Sequence, residues 1–185
     1  MELFIDGRDD RKLYIMRGIP GCGKSHRATR ISQETGGVIF SADNFFGEGE
    51  EYCRNWSPNK IHLAHQDCET KAIAEMGLFN PHIIIDNTNI TLRNFRVYID
   101  CAILQNYTVY FVYPDSSWWK EKVLPFLQGK VTDQDRDVLR NEIVENLTKR
   151  NIHGVPSSTI SNMLLKFQWM TKKDYFDSLE HRKSS

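Results

Sequence analysis

The sequence has no net charge: 24 Lys and Arg stand against 24 Asp and Glu over 185 residues. A chain so balanced has no global attraction for polyanions, so any acidic partner must be held by a local patch. No apolar run approaches the roughly 18 residues of a membrane span. The opening MELFIDGRDDRK is short, mixed and acidic, unlike a secretory signal. None of the cysteines (Cys22, Cys53, Cys68 and Cys101) forms a C-x-x-C pair, which argues against a zinc ribbon. These absences predict an intracellular chain, in cytoplasm or nucleus, with free thiols and no membrane association. Repeats, long linkers and low-complexity segments are also lacking, and the length fits one domain, residues 1–185.

What is present is an alternation of short apolar runs and helical spacings. KLYIMRG, GVIFSAD, HIIIDNTN and YTVYFVYPD read as strands, and an early LFID as an edge strand. HIIIDNTN is the most apolar, as expected of a strand buried on both faces. Between them KSHRATRISQET, NKIHLAHQDCETKAIAEMG and TLRNFRVYIDCAILQN have helical spacing, the second placing Ile61, Ala64, Ala72, Ile73 and Met76 on one side. Further helices are predicted near Trp118 to Leu127, from about Asp133 to Lys149, and from Ser157 to Met170. GEGEEYCRNWSP reads as a loop and the end EHRKSS as frayed. Strands alternating with helices predict an α/β fold with a mainly parallel sheet covered on both faces.

The stretch GIPGCGKS, Gly18 to Ser25, fits G-x-x-x-x-G-K-S/T without a mismatch, with a strand before it and a helix after. Glycines let the backbone turn its N–H groups around phosphate oxygens, and a helix N-terminus adds its positive dipole end. Gly18, Ile19, Pro20, Gly21, Cys22, Gly23, Lys24, Ser25 and His26 are therefore the expected nucleotide-binding residues. Lys24 would reach the β- and γ-phosphates of ATP, and Ser25 would ligate Mg²⁺. The competing reading is a glycine turn that merely caps a helix. Cys22 reads better as a small filler than as a reactive thiol.

Two carboxylates follow strands. Asp86 ends the apolar run of IIIDNTN, where a second Mg²⁺ element is expected, directly or through water. Asn87, Thr88 and Asn89 add polar groups at the same sheet edge, and Asn89 or Thr91 could cap the next helix. Asp43, in FSADNFF, ends the GVIFSA strand. It is either the base that accepts a hydroxyl proton or the N-cap of a short turn.

In LTKRNIHGVPSS, Arg150 can serve as a lid guanidinium on the phosphates, with HGVP as hinge, or as a cation at a helix C-terminus. His62 and His65 lie i, i+3 on a helix without a third ligand elsewhere, so they suit surface or packing better than metal. Trp118, Trp119, Phe45, Phe46 and Tyr52 read as core, and Trp56 as the best candidate for stacking on a base.

The motifs LYIMRGIPGCGKS, FSADNFF, LAH, IIIDNTN, WWK and RNIHGV, in this order over about Lys12 to Leu179, resemble the NEDD-four-binding-protein-two-like family. That family belongs to the polynucleotide-kinase-like P-loop NTPases. The resemblance implies a P-loop NTPase (kinase-like) three-layer sandwich with a helical lid. It implies transfer of the ATP γ-phosphate to the 5′-hydroxyl of an RNA or DNA strand. Asp43 then matches the base, Lys24 and Arg150 act on the phosphates, and Asp86 and Thr88 lie on the acceptor side. Three departures stand out. Phe46 occupies the position of an acceptor-binding arginine, Asn44 that of a second acid, and His153 is the nearest polar group to a missing lid arginine. Arg93 and Arg96 are candidate replacements for binding the acceptor.

The expected layout is a core over about 12–116, a charged helical insertion over about 121–145 that could also receive a protein partner, and a lid with the C-terminal helix over about 146–180. A small-molecule kinase and a non-catalytic ATP-binding module are the competing functions.

Overall fold

Leu13, Tyr14, Ile15 and Met16 are each 4% exposed or less, so this apolar run sits in the middle of a sheet. The computed structural model describes residues 1–7 and 10–183, with side chains as far as Leu179. Its strands are β1 (Glu2–Ile5), β2 (Lys12–Met16), β3 (Val38–Phe40), β4 (His82–Ile85) and β5 (Thr108–Val112). They form one sheet in the order β1-β5-β2-β4-β3. β2 pairs in parallel with β4 and β5, and β3 with β4. Only the LFID edge strand, β1, runs antiparallel, against β5. The parallel core follows from the connections, which are helical crossovers rather than hairpins. Ile83, Ile84 and Ile85 are fully buried, as their unbroken apolar run requires.

The chain divides into two compact units. The first comprises Met1–Met16, Ala28–Asn87 and Phe95–Val112 and contains the whole sheet. Helix α1 (Lys24–Thr35) contributes Ala28 and Ile31 to a cluster with Tyr14, Met16, Ile84 and Val112 on one sheet face. Next come α2 (Glu50–Asn55), α3 (Ile61–Gly77) and α4 (Leu92–Leu104). On the opposite face Phe95 of α4 meets Phe111 edge-on at 5.2 Å. Tyr98 of α4 donates its hydroxyl to Cys68 Sγ of α3 at 3.6 Å. Helices on both faces make the three layers expected.

The second unit comprises Arg17–Arg27, Thr88–Asn94 and the chain from Tyr113 onward. A π-helical stretch at Trp119–Val123 runs into α5 (Leu124–Leu127). Then follow α6 (Asp133–Arg150), α7 (Ser157–Lys166) and α8 (Lys172–Lys183). The charged 121–145 stretch is held to itself by Lys122–Glu142 at 3.5 Å and by Arg136 over the Phe126 ring at 4.8 Å.

Four local expectations are corrected. GEGEEYCRNWSP is not all loop: α2 forms within it, with Glu50 and Glu51 at its positive end and Arg54 in its last turn. Ile61 is exposed, and the buried stripe of α3 is Ala64, Cys68, Ala72 and Met76. The helix expected from Ser157 to Met170 stops at Lys166. There Phe167 turns extended, and the backbone of Gln168 bonds elsewhere, with its amide on the Ile90 carbonyl at 2.8 Å. EHRKSS is helical through Lys183, while Ser184 and Ser185 lie outside the described residues. Among the described residues no helix is long and apolar enough to cross a membrane. The four cysteines are free thiols.

Candidate active site

The phosphate loop belongs to the second unit. Gly21 has φ +79° and Gly23 φ +92°, the left-handed backbone that lets successive N–H groups face one concavity. The Gly18 amide donates to the Thr88 carbonyl at 3.0 Å and the Cys22 amide to the Ile19 carbonyl at 3.2 Å. Ile19 and Cys22 are buried, and a Cβ on Gly18 would lie 2.7 Å from Cys22 Sγ. Cys22 therefore fills space, as its sequence suggested. Pro20, Gly21 and Lys24 are half-buried, whereas Gly23, Ser25 and His26 are exposed. α1 begins at Lys24 with no acidic residue in its first turn to oppose an anion.

The end of α6 rests on this loop. A Cβ on Gly21 would run into the Leu147 carbonyl oxygen and lie 3.2 Å from the Asn151 amide nitrogen. Only glycine admits both the backbone angle and this approach. Arg150, the last residue of α6, is exposed, and its guanidinium lies 4.7 Å over the Trp118 ring. Trp118 is thus a half-buried platform for Arg150 rather than core, whereas Trp119 is fully buried. After Arg150 the side chain of Asn151 accepts from the His153 amide at 3.1 Å and donates to the Val155 carbonyl at 2.9 Å, building the turn into α7. His153 itself is exposed.

Nothing in the sequence pattern assigns a role to Arg17, the residue before the loop. It is fully buried. Its Nε donates to the Asn89 carbonyl at 2.9 Å, and Nη2 to those of Gln168 at 2.6 Å and Ile90 at 3.4 Å. Nη1 reaches the Tyr113 hydroxyl at 3.3 Å, and the Phe167 ring lies 4.9 Å from the guanidinium carbon. The Gln168 side chain continues this array by accepting from the Leu92 amide at 2.7 Å. Asn89, at φ +46°, tolerates the left-handed turn these contacts require. Asn89 thus serves the loop rather than capping α4. Thr91 takes the cap position, its amide and hydroxyl both donating to Asn94 Oδ1.

The carboxylates belong to the first unit. The parallel register of β3 and β4 aligns Phe40 with Ile85, so Asp43 and Asp86 follow adjacent strand ends. The Asp86 amide donates to the Phe40 carbonyl at 2.8 Å. Asn87, 8% exposed, accepts from the Ala42 amide at 2.9 Å and donates to Cys68 Sγ at 3.4 Å. It pins the start of the Asp43 turn to the strand beside it. Burial pushes the Cys68 thiol up, while the hydrogen bonds from Asn87 and Tyr98 act the other way.

Asp43 lies in a 3₁₀ turn, Ala42–Phe46, and Ser41 is the cap: its Oγ accepts from the Asp43 amide at 3.2 Å. The N-cap reading of Asp43 is thereby corrected. The Asp43 side chain is exposed, and Tyr52 donates its hydroxyl to Oδ1 at 3.3 Å. Burial and the adjacent Asp43 carboxylate push the Tyr52 phenol from its usual value near 10 up to about 12. The folded state therefore holds this proton more tightly than the unfolded chain, and the resulting stability fades as pH climbs from about 10 to about 12. We expect Tyr52→Phe to remove that component of the alkaline loss, measured as the difference between the two proteins' urea midpoints at pH 8 and pH 11.

Phe46 is 3% exposed and packs with Ala42, Ala64 and Cys68. Its ring meets that of Tyr52 edge-on at 5.7 Å. It is core, so this position presents no polar group to a ligand, and Asn44 is exposed. Of the basic candidates, Arg93 is exposed in the first turn of α4 and belongs to the second unit, while Arg96, half-buried, belongs to the first.

A family model described as an AAA domain, AAA_33, matches residues 13–122, more than half of the chain. The chain belongs to the AAA_33 family. This AAA_33 chain is 30% identical over 157 residues to NEDD4-binding protein 2 of Homo sapiens, which bears out the resemblance seen in the motifs. The match covers 84% of this chain and 8% of that protein's length. A chain of the Pnkp1/Rnl/Hen1 RNA repair complex superposes with a TM-score of 0.54 at 22% identity, covering 90% of the AAA_33 chain and 45% of its own. A gluconokinase from Sinorhizobium meliloti 1021 gives 0.50 at 12% identity, covering 88% and 78%. The fold is that of P-loop kinases.

The oxygen donors of this AAA_33 chain suit Mg²⁺. Among the described residues no three His, Cys, Asp or Glu side chains gather into a metal cage. A hydroxyl and a carboxylate are what a hard cation takes when it keeps its waters and completes its shell with phosphate oxygens.

Proposed function

We propose that the chain transfers the γ-phosphoryl group of ATP to a hydroxyl acceptor, the 5′-hydroxyl of a nucleic-acid strand. The observation that carries this reading is the state of Asp43: an exposed strand-end carboxylate, spared from capping by Ser41 and oriented by Tyr52. It accompanies an intact phosphate loop. In this reading the loop amides and Lys24 hold the β- and γ-phosphates. Asp43 takes the proton of the acceptor hydroxyl as that oxygen forms its bond to the γ-phosphorus. The bond from phosphorus to the β–γ bridging oxygen breaks, and ADP leaves with that electron pair. Arg150 offsets the charge that grows on the transferred group and the leaving oxygen. Ser25 and Asp86 would hold Mg²⁺, which when bound neutralises phosphate oxygens. Thr88, Arg93 and Arg96 would meet the acceptor.

The test is transfer of label from γ-labelled ATP with Mg²⁺ to a 5′-hydroxyl oligonucleotide. Labelled oligonucleotide supports the reading. ATP binding with no label on any strand overturns it. The core position of Phe46 favours a second reading, a kinase of small alcohols, which the same assay detects with free nucleosides and sugars as acceptors. Because Trp118 seats Arg150, Trp118→Ala is expected to lower turnover about three- to tenfold, the worth of one partly exposed cation–π contact. Steady-state kinetics at saturating ATP check this, and Trp118→Phe should recover most of the loss.

A further inference from the structure

The Asp43 turn and α2 are tied together at two points. Tyr52 reaches Asp43, and Asn55 Nδ2 donates to the Phe46 carbonyl at 3.2 Å. On either side of the second tie the chain exposes an aromatic residue. Phe45, just before Phe46, is 38% exposed, and Trp56, just after Asn55, is 45% exposed. Neither ring is needed to close the core, which Phe46 and Tyr52 do from the same segment. Phe45 rests on Phe46 edge-on, with centroids 5.3 Å apart, so the buried ring supports the exposed one. The surrounding charge is unsuited to phosphate. Glu48, Glu50 and Glu51 are exposed, and Arg54 is the single basic residue between Gly47 and Trp56.

We propose that Phe45 and Trp56 form a stacking subsite for the base of the acceptor's 5′-terminal nucleoside. This rests on the kinase reading and replaces a phosphate grip at this point with a base grip. An uncharged aromatic base is indifferent to the three glutamates that repel a phosphate, and stacking accepts any base. Phe45 lies two residues from Asp43 in the same turn, and α2, which ends just before Trp56, is tied to that turn through Tyr52 and Asn55. A free nucleoside and a strand end offer the same chemistry.

The test compares three 5′-hydroxyl acceptors with saturating ATP: a single strand with an ordinary first nucleoside, the same strand with an abasic first residue, and free adenosine. The wild-type protein should show a KM for the abasic strand roughly tenfold above that for the ordinary strand, the worth of one stacked base. Phe45→Ala and Trp56→Ala should each raise the KM of the ordinary strand toward the abasic value while leaving the KM for ATP unchanged. Trp56→Phe should restore most of the preference. Adenosine used as well as the strand assigns the subsite to nucleosides generally, and adenosine used poorly assigns it to strand ends. Equal KM values for ordinary and abasic strands in the wild-type protein overturn the subsite and leave the kinase reading standing. Phosphorylation of none of the three overturns both.

Discussion

Asp43→Asn should lower phosphoryl transfer by between about a hundredfold and ten-thousandfold, the range spanned by a positioned general base. The substitution keeps the size of the side chain and an oxygen for the Tyr52 hydroxyl to donate to, so it removes basicity and little else. Three features protect the local fold. Ser41 caps the turn through the Asp43 amide, Asn87 pins the Ala42 amide, and the Asp43 side chain is exposed. The loss should fall on kcat, with the KM for ATP unchanged, because the phosphate loop belongs to a different part of the chain. Single-turnover assays with labelled ATP check this, alongside thermal unfolding to show that the variant is folded. Activity within about threefold of wild type would remove Asp43 from the mechanism.

Arg17→Met should destabilise the protein by on the order of 3 kcal/mol. The replacement fills similar volume with apolar atoms but leaves the carbonyls of the buried Asn89 and Ile90, and the part-buried one of Gln168, without this donor. Each lost partner of a buried polar group costs about 1–3 kcal/mol. The contacts are shared within one array, so the costs do not simply add. Lysine should rescue little: one ammonium cannot serve carbonyls lying in the directions that the planar fork reaches. Arg17 joins the start of the phosphate loop, the turn after DNTN and the α7–α8 link. The variant should therefore also bind ATP more weakly, because the Thr88 carbonyl that holds the Gly18 amide sits beside that turn. Urea unfolding and ATP titration measure the two effects, and an unfolding midpoint unchanged from wild type would contradict the structural role.

The features recognised from sequence are those that a contiguous stretch of residues carries. The phosphate loop is contiguous, so its pattern shows in the sequence, although Gly21 also answers to the Leu147 carbonyl far along the chain. The strands of the sheet announce themselves by unbroken apolar runs. Asp86 follows β4 directly and Asp43 stands three residues past Phe40, and such positions at the carboxyl ends of parallel strands make them candidates. Arg17 was not legible, since a basic residue after an apolar strand usually marks the surface, and its carbonyl partners lie 72 to 151 positions away. In the sequence Asn87 is only one polar group among several. Its partner Cys68 lies 19 residues back on α3, and no period identifies the pair. Trp118 read as core because the seat it offers Arg150 depends on where α6 ends.

The sequence alone determined the α/β class, the phosphate loop and the family, because local backbone chemistry and the order of motifs carry them. Tertiary structure decided which polar groups are buried supports and which face solvent. It made Arg17 and Asn87 anchors, Ser41 the cap in place of Asp43, and Phe46 core beside an exposed Phe45. The reason is that burial and hydrogen-bond pairing are properties of what packs against a residue, and those neighbours come from distant parts of the chain.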